Sequence, residues 1–396
     1  MTQSFNERME QVLSPVLGHF TRLEVLRGRG SYLYTRDKRK VLDFANGIAV
    51  TNTGHCHPAV VAAATKQLKT IIHNCNGVSI AEPNIKYAEQ LTSFLPRGLD
   101  QVWFAQSGTE TIEAAIKCAK FVTGRKKVFS FAGGFHGRTY GAMSLTSSKE
   151  KYSKPYEPLV PGFEIKPRDL ELLKKENLTE VAGIVTELVL GEGGYVAMSK
   201  EFVQGLRKIC DENGIVLIFD EIQTGFGRTG KMFGFEHYGV IPDILCLSKA
   251  IASGLPLGAA VIKKELSQKW ETSTHGGTFT GNPVATAAAS ATLKVLAHSL
   301  EKIDPKIDAL KTGLEALKQK FPKLISEFRQ LGFMMALVMQ TPEISKKFRE
   351  LCLENNLLMI ACGKDYETVR VLPAVTVSVP EIKLGLKIMQ KSLEAL

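Results

Sequence analysis

Short apolar runs alternate with longer amphipathic stretches through the middle of the chain. The apolar runs are rich in β-branched and aromatic residues, which predicts strands at QVWFA, KVFSFA, VAGIVTELV, IVLIFD, ILCLS and LGAAVI. Among these runs, TETIEAAIKCAKFV and SKEFVQGLRKICDENG predict helices. The first of them repeats apolar residues at helical spacing, at Ile112, Ala115, Ile116, Ala119 and Val122. This alternation is typical of an α/β fold with a mostly parallel sheet.

The pattern changes from about residue 291, where long charged helices begin. Strand-like FMMALVM, LLMIA and TVRVLPAV follow, and the last helix opens with a capping-box spacing between Ser378 and Glu381. The first 45 residues carry strand-like SYLYT and KVLDFA, and we expect them to join this later part. The sequence thus predicts a large domain over 46–290 and a smaller α+β domain built from 1–45 and 291–396.

Composition favours a water-soluble globular protein. Of 396 residues, 44% are apolar and 23% are charged, values that are usual for globular chains. The N-terminus lacks the apolar core of a secretory signal, and no run approaches the roughly 20 apolar residues of a membrane span. Seven cysteines with no CxxC pair favour reduced and mostly buried thiols. We therefore expect a cytoplasmic protein that contacts no membrane.

The net charge of +10 does not by itself indicate nucleic-acid binding. Lysines and arginines are scattered among acids, as in EKYSKPYE and KKFRELCLE, and form no stripe or tail. We interpret them as solvated faces and expect no nucleic-acid partner. Their overall field favours the arrival of anionic substrates.

Two further patterns suggest sites that their context does not support. The two histidines and the cysteine of TGHCHP, with His73 and Cys75 nearby, lack the spacing of structural zinc sites, so we expect a tight turn and no metal. GFGRTGK, from Gly225 to Lys231, fits glycine-rich nucleotide-binding patterns. However, its first glycine does not directly follow the strand, and Met232 stands where a P-loop needs Ser or Thr. Compact packing of the loop explains this stretch equally well.

A lysine and an aspartate each end an apolar strand. Asp220 follows IVLIF, and Lys249 follows ILCLS 29 residues later. That separation permits one crossover between parallel strands, so we expect both side chains at the carboxyl edge of the sheet, where α/β folds bind ligands. The two residues form either a structural salt bridge or part of a reactive pocket.

Two other segments would meet that edge. AQSGTETIEAA runs from a strand into a helix through Ser107, Gly108 and Thr109. Their free amides suit a phosphate, although such residues also serve simply as helix caps. In AGGFHGRT, Phe135 follows a strand and two glycines, where its ring either stacks on a flat ligand or joins the core. Together with an acid for a ring nitrogen and a lysine for an aldehyde, these segments describe a site for pyridoxal phosphate.

Seven motifs, in their order along the chain, resemble those of the class III aminotransferases of fold type I. They are SGTETIEAA, FHGRT, GEGG, FDEIQTGFGRTG, LSKAIASGLPLGA, GGTFTGNP and VRVLP. The resemblance begins at DFANGIAVTNTGHCHP, covers nearly the whole chain, and looks closest to the 4-aminobutyrate and acetylornithine aminotransferases. It implies a large domain with a mostly parallel sheet flanked by helices, and a smaller α+β domain formed by both termini.

By this resemblance, Lys249 forms the Schiff base with the cofactor and moves the proton, Asp220 pairs with the ring nitrogen, and Glu187 lies behind the ring. Gln223 would hydrogen-bond the ring hydroxyl. Thr278 resembles a threonine that reaches the phosphate in the neighbouring subunit, which implies a homodimer with shared active sites; a helix-cap threonine is the alternative. The residues implied to hold the cofactor are Ser107, Gly108, Thr109, Phe135, His136, Asp220, Gln223, Lys249 and Thr278.

The resemblance also implies arginines for the substrate, because a guanidinium grips a carboxylate with two hydrogen bonds. Arg138 would hold the carboxylate farthest from the reacting amine, and Arg370 would hold the α-carboxylate of glutamate. Glu192 would pair with Arg370 when an ω-amine without an α-carboxylate is bound. Ile48 resembles a bulky residue that limits substrate length, although ordinary packing explains it as well.

The implied reaction is a ping-pong transfer of an amino group from an ω-amino acid to 2-oxoglutarate, giving a semialdehyde and glutamate. The first choice of donor is 4-aminobutyrate, and the alternative is acetylornithine, ornithine or another ω-amine. A decarboxylase or aminomutase on the same fold and a nucleotide-binding protein are more distant alternatives. Where the family often has EPVQGEGG, this chain has ELVLGEGG, so Leu188 and Leu190 are expected to make the pocket more apolar.

Overall fold

The computed structural model describes residues 4–396, so the first three positions of the predicted N-terminal segment lie outside the described residues. Its strands are β1 Val25–Arg29, β2 Tyr32–Thr35, β3 Lys40–Asp43, β4 Leu99–Ala105, β5 Lys127–Phe131, β6 Phe163–Lys166, β7 Val181–Glu187, β8 Val189–Leu190, β9 Val196–Ala197, β10 Val216–Asp220, β11 Ile244–Leu247, β12 Gly258–Lys263, β13 Ile325–Leu331, β14 Met334–Met339, β15 Leu357–Leu358, β16 Ile360–Cys362 and β17 Thr368–Val371.

Its helices connect these strands and close both ends of the chain. They are α1 Phe5–Val12, α2 Asn46–Ala49, α3 Pro58–Leu68, α4 Glu82–Ser93, α5 Gly108–Thr123, α6 Tyr140–Ser144, α7 Leu170–Leu173, α8 Lys200–Asn213, α9 Lys264–Ser267, α10 Pro283–Leu300, α11 Asp304–Lys320, α12 Pro342–Glu354 and α13 Val379–Glu394. Short 3-10 turns lie at Glu150–Tyr152, Lys154–Tyr156, Gly234–His237 and Lys249–Ala252.

A seven-stranded sheet forms the centre of the large lobe, in the order β4-β12-β11-β10-β7-β5-β6. The strands from β11 to β6 are parallel to their neighbours, whereas β12 runs antiparallel to both β11 and β4. Parallel neighbours need crossover connections over the sheet faces, and α8 forms such a connection between β7 and β10. The predicted α/β fold with a mostly parallel sheet is therefore confirmed.

Alternate residues of the central strands face two apolar clusters, one on each face of the sheet. Val216 and Ile218 of β10 belong to the cluster that includes α5, whereas Leu217 and Phe219 belong to the cluster that includes α8. Every residue of β10 is buried. Because a parallel sheet that is covered on both faces has no polar side, β10 is a continuous apolar run until it ends at Asp220.

Helix α5 begins soon after β4 and presents its N-terminus at the edge of the sheet. Ser107 is the N-cap: its Oγ accepts from the Glu110 amide, and the Glu110 carboxylate accepts from the Ser107 amide at 3.0 Å. The helix ends at Gly124, whose φ of 68° is left-handed and therefore suits glycine. The predicted apolar face is confirmed, because the buried residues of α5 are Thr111, Ile112, Ala114, Ala115, Ile116, Cys118 and Ala119.

Both ends of the chain contribute to the smaller lobe. Strand β3 pairs in parallel with β15, so the N-terminal segment shares the sheet β1-β2-β3-β15 with the C-terminal part. A second, antiparallel sheet has the order β13-β14-β17-β16. Ser378 caps α13 through the predicted capping box. Helix α10 packs on α3 and α4, so the domain boundary predicted at residue 290 falls inside a helix of the large lobe.

Cysteine burial follows the prediction from composition. All seven cysteines are free, and all except Cys56 and Cys75 are buried, where a thiol packs as a small apolar side chain. Within residues 4–396, no group of three histidine, cysteine or acidic side chains is arranged to hold a metal. None of the helices in the same residues has the length and hydrophobicity that crossing a bilayer requires.

Candidate active site

Three titratable side chains meet at the carboxyl edge of the large sheet. Asp220 and Glu187 are the last residues of β10 and β7, and they lie side by side in the register of these strands. Lys249 comes two residues after the end of β11, which pairs in parallel with β10. The expectation that Asp220 and Lys249 emerge at one edge of the sheet is therefore confirmed. Both belong to a shared cavity.

This cavity has a volume of about 240 Å³. It contains most of the residues that the sequence predicts for the site: Gly108, Thr109, Phe135, His136, Arg138, Glu187, Glu192, Asp220, Gln223 and Lys249. Gly137, Ile222 and Ser248 complete its lining. A concave space with a few convergent polar groups is the usual form of a small-molecule site.

Lys249 is half-buried in this cavity, and it belongs to none of the ion pairs formed by the described residues. Burial lowers the pKa of Lys249, and the charges of Asp220, Glu192 and Glu187 oppose that effect. A lowered pKa increases the fraction of the neutral amine, which is the nucleophilic form. The arrangement therefore favours a reactive lysine over the alternative of a structural salt bridge with Asp220.

Asp220 is paired with a histidine. Its Oδ2 lies 2.8 Å from Nδ1 of His136, and its Oδ1 accepts from the Ile222 amide at 3.1 Å. Burial alone would lower the pKa of His136, but the hydrogen bond and the charge of Asp220 outweigh it, and the net pKa is raised. The raised pKa favours a positively charged imidazole beside the aspartate. Asp220 is thus suited to stabilise a positive charge in the cavity.

Glu187 holds two loops in place beside Asp220. Its two carboxylate oxygens accept from the amides of Phe135, at 2.9 Å, and Gly191, at 3.0 Å. Burial raises the pKa of Glu187 to about 7, the charge of Asp220 adds to this, and His136 and the two amides oppose it. Glu187 therefore fixes the Phe135 and Gly191 loops and serves as a titratable group behind the cavity.

The N-terminus of α5 supplies the anion-binding end of the cavity. The amides of Gly108 and Thr109 donate to no acceptor within residues 4–396, and the positive end of the helix dipole points the same way. A side chain at Gly108 would lie 2.8 Å from Ile222 Cδ1, so the small residue keeps this end open. Ser107 does not line the cavity, because its hydroxyl is engaged in the helix cap.

Gln223 also lines the cavity and contacts the turn between β8 and β9. Its Oε1 accepts from the hydroxyl of Tyr195 at 2.7 Å, and both side chains are buried. Tyr195 itself does not line the cavity, and no local sequence pattern marks it as a site residue. A buried glutamine with a free NH2 group suits an anionic ring oxygen.

Arg370 and Glu192 form the closed ion pair that the resemblance implied. NH1 of Arg370 lies 2.6 Å from Oε1 of Glu192, and NH2 donates to the backbone oxygen of Ala361 at 2.8 Å. The Arg370 side chain is fully buried, and 15% of the Glu192 side chain is exposed. Burial would raise the pKa of Glu192, but the charge of Arg370 outweighs it, and the net pKa is lowered. Arg370 therefore reaches the cavity through Glu192.

Arg138 provides a cation that no protein carboxylate neutralises within 4 Å in the described part of the chain. It is exposed and lines the cavity, with its guanidinium carbon 5.5 Å and 5.3 Å from the ring centroids of Phe135 and Tyr152. The two rings meet edge to face at 5.5 Å. Aromatic faces support an exposed guanidinium without competing for its donors. Arg138 therefore remains available to a carboxylate.

Besides Ser107 and Arg370, four positions singled out from the sequence do not line the cavity of the single chain. Ile48 is 37% exposed and sits in a left-handed turn with a φ of 66°. Thr278 is exposed on the loop before α10. Leu188 and Leu190 are buried in the main core and do not line the cavity, so the expectation that they make the pocket more apolar is wrong for this cavity.

The GFGRTGK loop packs between the two lobes, and its arginine is too buried to contact a nucleotide. Arg228 is fully buried and donates to the Pro373 oxygen at 2.8 Å and to Oδ1 of Asn52. Burial lowers the pKa of Arg228 to about 10. The interpretation of this stretch as a compactly packed loop is therefore the better one.

The residues present fit a flat, phosphorylated aldehyde. The free amides of Gly108 and Thr109 suit its phosphate, Asp220 and the NH2 group of Gln223 suit its ring, and the amine of Lys249 suits its aldehyde. The sequence profile of the family described as Aminotransferase class-III matches residues 15–393. This match covers both lobes and every residue of the cavity.

Individual relatives agree with the profile. An acetylornithine aminotransferase of Methanocaldococcus jannaschii is 42% identical over 364 residues, which cover 89% of each chain. The 5-aminovalerate aminotransferase DavT of Pseudomonas aeruginosa is 33% identical over an alignment that covers 100% of this chain and 99% of that protein. A PLP-bound amine transaminase from an uncultivated Pseudomonas species aligns in structure with a TM-score of 0.87, at 26% identity over 95% of each chain. The chain therefore belongs to the class III aminotransferases, which depend on pyridoxal phosphate.

Proposed function

We propose that the protein transfers the terminal amino group of an ω-amino acid to 2-oxoglutarate, and that N-acetylornithine is its amino donor. The observation that carries the proposal is the closed pair of Arg370 and Glu192, 2.6 Å apart, beside a cavity that is lined by Glu192 and by the unneutralised Arg138. Arg138 offers a cation to every substrate, whereas Arg370 offers one only to a substrate carboxylate that replaces Glu192.

The two half-reactions make different demands on these cations. An ω-amine presents a carboxylate at its far end, which Arg138 binds, and Glu192 keeps the buried Arg370 paired. 2-Oxoglutarate presents two carboxylates, and the second one replaces Glu192 on Arg370. The replacement avoids an unpaired buried charge in either state, which would cost several kcal/mol. One cavity thereby accepts both substrates.

Pyridoxal phosphate supplies an aldehyde that takes up the amino group and a ring that withdraws electrons from the reacting carbon. We place its phosphate at Gly108 and Thr109 and its ring beside Phe135, Gln223 and Asp220. Asp220, which lies 2.8 Å from Nδ1 of His136, would pair with the ring nitrogen and favour its protonated form. Nζ of Lys249 is the base that takes the proton from the amine-bearing carbon of the donor.

The choice of N-acetylornithine rests on the relative that is 42% identical and named acetylornithine aminotransferase. Ile48, on which a limit to short donors would depend, is 37% exposed and lies outside the cavity of the single chain. The relative named 5-aminovalerate aminotransferase supports an unbranched ω-amino acid such as 4-aminobutyrate as a second candidate.

The test is a single-turnover measurement on the cofactor-loaded protein. We expect N-acetylornithine to bleach the yellow band at least tenfold faster than 4-aminobutyrate at equal concentration, and the reverse ranking would support the second candidate. Arg138→Met should slow both donors while leaving butylamine, which has no carboxylate, unaffected. A protein that reacts with neither donor, or an Arg138→Met variant that slows butylamine equally, would contradict the proposal.

We further propose a homodimer located in the cytoplasm, where free thiols persist. The support for a dimer is an exposed apolar patch beside the Thr278 loop: Asn282 donates to the Ile72 oxygen at 3.0 Å, and the rings of His73 and Phe279 lie 5.2 Å apart. Patches of this kind mark protein interfaces; its exposed members are Ile72, Val78, Ile80 and Phe279. Light scattering should give the mass of two chains, and a monomer would contradict this.

A further inference from the structure

The amide of Gln223 is held in one orientation by Tyr195. The Tyr195 hydroxyl donates to Oε1 at 2.7 Å, so the carbonyl end of the amide is engaged. Within residues 4–396, Nε2 donates to no acceptor, and Gln223 lines the cavity. Nε2 lies against Gly191, where any larger residue would overlap it. The amide is therefore enclosed on two sides, with its donor end left for a ligand.

Tyr195 lies in the turn between β8 and β9, and its ring packs against the smaller lobe. Its ring is 2% exposed and packs in a cluster with Met334, Ala336, Cys362 and Leu372, which belong to or follow the strands of the small sheet. Burial raises the pKa of the Tyr195 hydroxyl, so that the group stays a protonated donor. The tyrosine thus joins the small lobe to one wall of the cofactor cavity.

The turn that carries Tyr195 is strained and anchored at several points. Tyr195 has a φ of 59°, a conformation that is costly for a residue with a large side chain. Its amide donates to the Leu190 oxygen at 2.8 Å, and Arg329 donates to the Gly194 oxygen at 2.6 Å. The same turn carries Glu192. A strained conformation that persists under such anchoring indicates a role for the side chain that it places.

We propose that Tyr195 is a positioning residue that fixes the Gln223 amide with its NH2 group toward the ring oxygen of the cofactor. This inference rests on the part of the proposed function that places the cofactor ring beside Gln223. Without the tyrosine hydroxyl, the amide is free to rotate, and its oxygen would then face an anionic ring oxygen. The rotated amide would repel that oxygen instead of donating to it.

The consequence is visible in the colour of the bound cofactor. An anionic ring oxygen attracts the proton on the nitrogen of Lys249, and a donor on that oxygen weakens the attraction. Loss of the donor therefore strengthens the hold on this proton, and the pH at which the yellow band titrates rises. We expect an upward shift of about one pH unit, the equivalent of about 1.4 kcal/mol, for Tyr195→Phe.

The matched control is Tyr238→Phe. Tyr238 is 4% exposed, and its hydroxyl donates to the backbone oxygens of Leu188 and Met198 at 3.2 Å and 3.3 Å, away from the cavity. Each protein is loaded with pyridoxal phosphate, its melting temperature is recorded, and its absorbance is titrated with pH. An upward shift in Tyr195→Phe with no shift in Tyr238→Phe supports the proposal. No shift in either variant, or an equal shift in both, overturns it.

A double variant separates positioning from a direct effect. Gln223→Ala removes the donor itself, so adding Tyr195→Phe to it should move the titration no further. A full additional shift in the double variant would show that Tyr195 acts without Gln223 and would overturn the proposal. The donor measurements described above stay independent: a protein that rejects every ω-amine but retains the Tyr195 shift would refute the proposed substrate and leave the positioning role standing.

Discussion

Replacement of Glu192 by glutamine tests the idea that a buried arginine exchanges one carboxylate for another. In the structure, Glu192 pairs with Arg370 at 2.6 Å, and the arginine side chain is fully buried. Glu192→Gln keeps the size of the side chain and one hydrogen-bond acceptor but removes its charge. The guanidinium is then left without a counterion until a substrate carboxylate arrives.

The size of the effect follows from the burial of the pair. Removing one partner of a buried ion pair costs roughly 3–5 kcal/mol, and a retained neutral hydrogen bond offsets about 1 kcal/mol, which leaves about 2–4 kcal/mol. At about 2.1 cal/mol/K per residue, the unfolding entropy of 396 residues is about 0.8 kcal/mol/K. We therefore expect the melting temperature to fall by about 2–5 °C.

The assay is thermal unfolding with and without 2-oxoglutarate. The control is Glu327→Gln, which breaks a pair with Arg329 of the same 2.6 Å length but with half of the glutamate exposed; such pairs contribute roughly 0–1 kcal/mol. We expect 2-oxoglutarate to stabilise Glu192→Gln more than it stabilises the wild type. Equal melting temperatures for the wild type and Glu192→Gln, or equal stabilisation of both by 2-oxoglutarate, would refute the exchange of carboxylates.

Three other predictions follow from buried groups. Burial raises the pKa of Glu221 to about 7, against about 4.3 for an unfolded glutamate. As the pH rises from 4 to 7, the wild type should therefore lose up to about 3 kcal/mol of unfolding free energy relative to Glu221→Gln. Urea titrations that give parallel pH profiles for the two proteins would contradict this. Because burial lowers the pKa of Lys249, the rate at which cofactor-free protein captures pyridoxal phosphate should reach half its maximum below pH 10.5, and a midpoint at or above that value would argue against it. Arg228→Met should lower the unfolding free energy by several kcal/mol, because the buried acceptors at Pro373 and Asn52 lose their donor. The control Lys231→Met, in the same loop, should change the unfolding free energy by less than about 0.5 kcal/mol. Similar losses in both variants would be inconsistent with the packing role of Arg228.

Strand periodicity and strand ends were sufficient to locate the centre of the site. Strands β10 and β11 are buried on both faces, so the first charged residue after each apolar run marks the sheet edge. This is how Asp220 and Lys249 could be brought together from the sequence. The resemblance added the pair of Arg370 and Glu192, which lie 178 residues apart and which no local pattern connects.

Other elements were not predictable because tertiary contacts decide them. Strand β13, with the sequence ISEFRQL, is an exposed edge strand whose polar residues hide its period, yet its Arg329 anchors the Tyr195 turn. Tyr195 acts through a hydroxyl that bonds Gln223, 28 residues away, a contact that no local pattern indicates. Ile222 lines the cavity but reads as part of a loop. Ile48 and Thr278 lie outside the single-chain cavity, and the role predicted for Thr278 depends on a second chain.

The most direct test of the account is to find where pyridoxal phosphate attaches. The protein is incubated with the cofactor, the bond between them is reduced with borohydride, and the digested chain is mapped by mass spectrometry. We expect the modification on the peptide that contains Lys249, and we expect Lys249→Ala to abolish both the modification and the yellow colour. A modification on another lysine, such as the buried Lys149, or a coloured and modified Lys249→Ala protein, would contradict it.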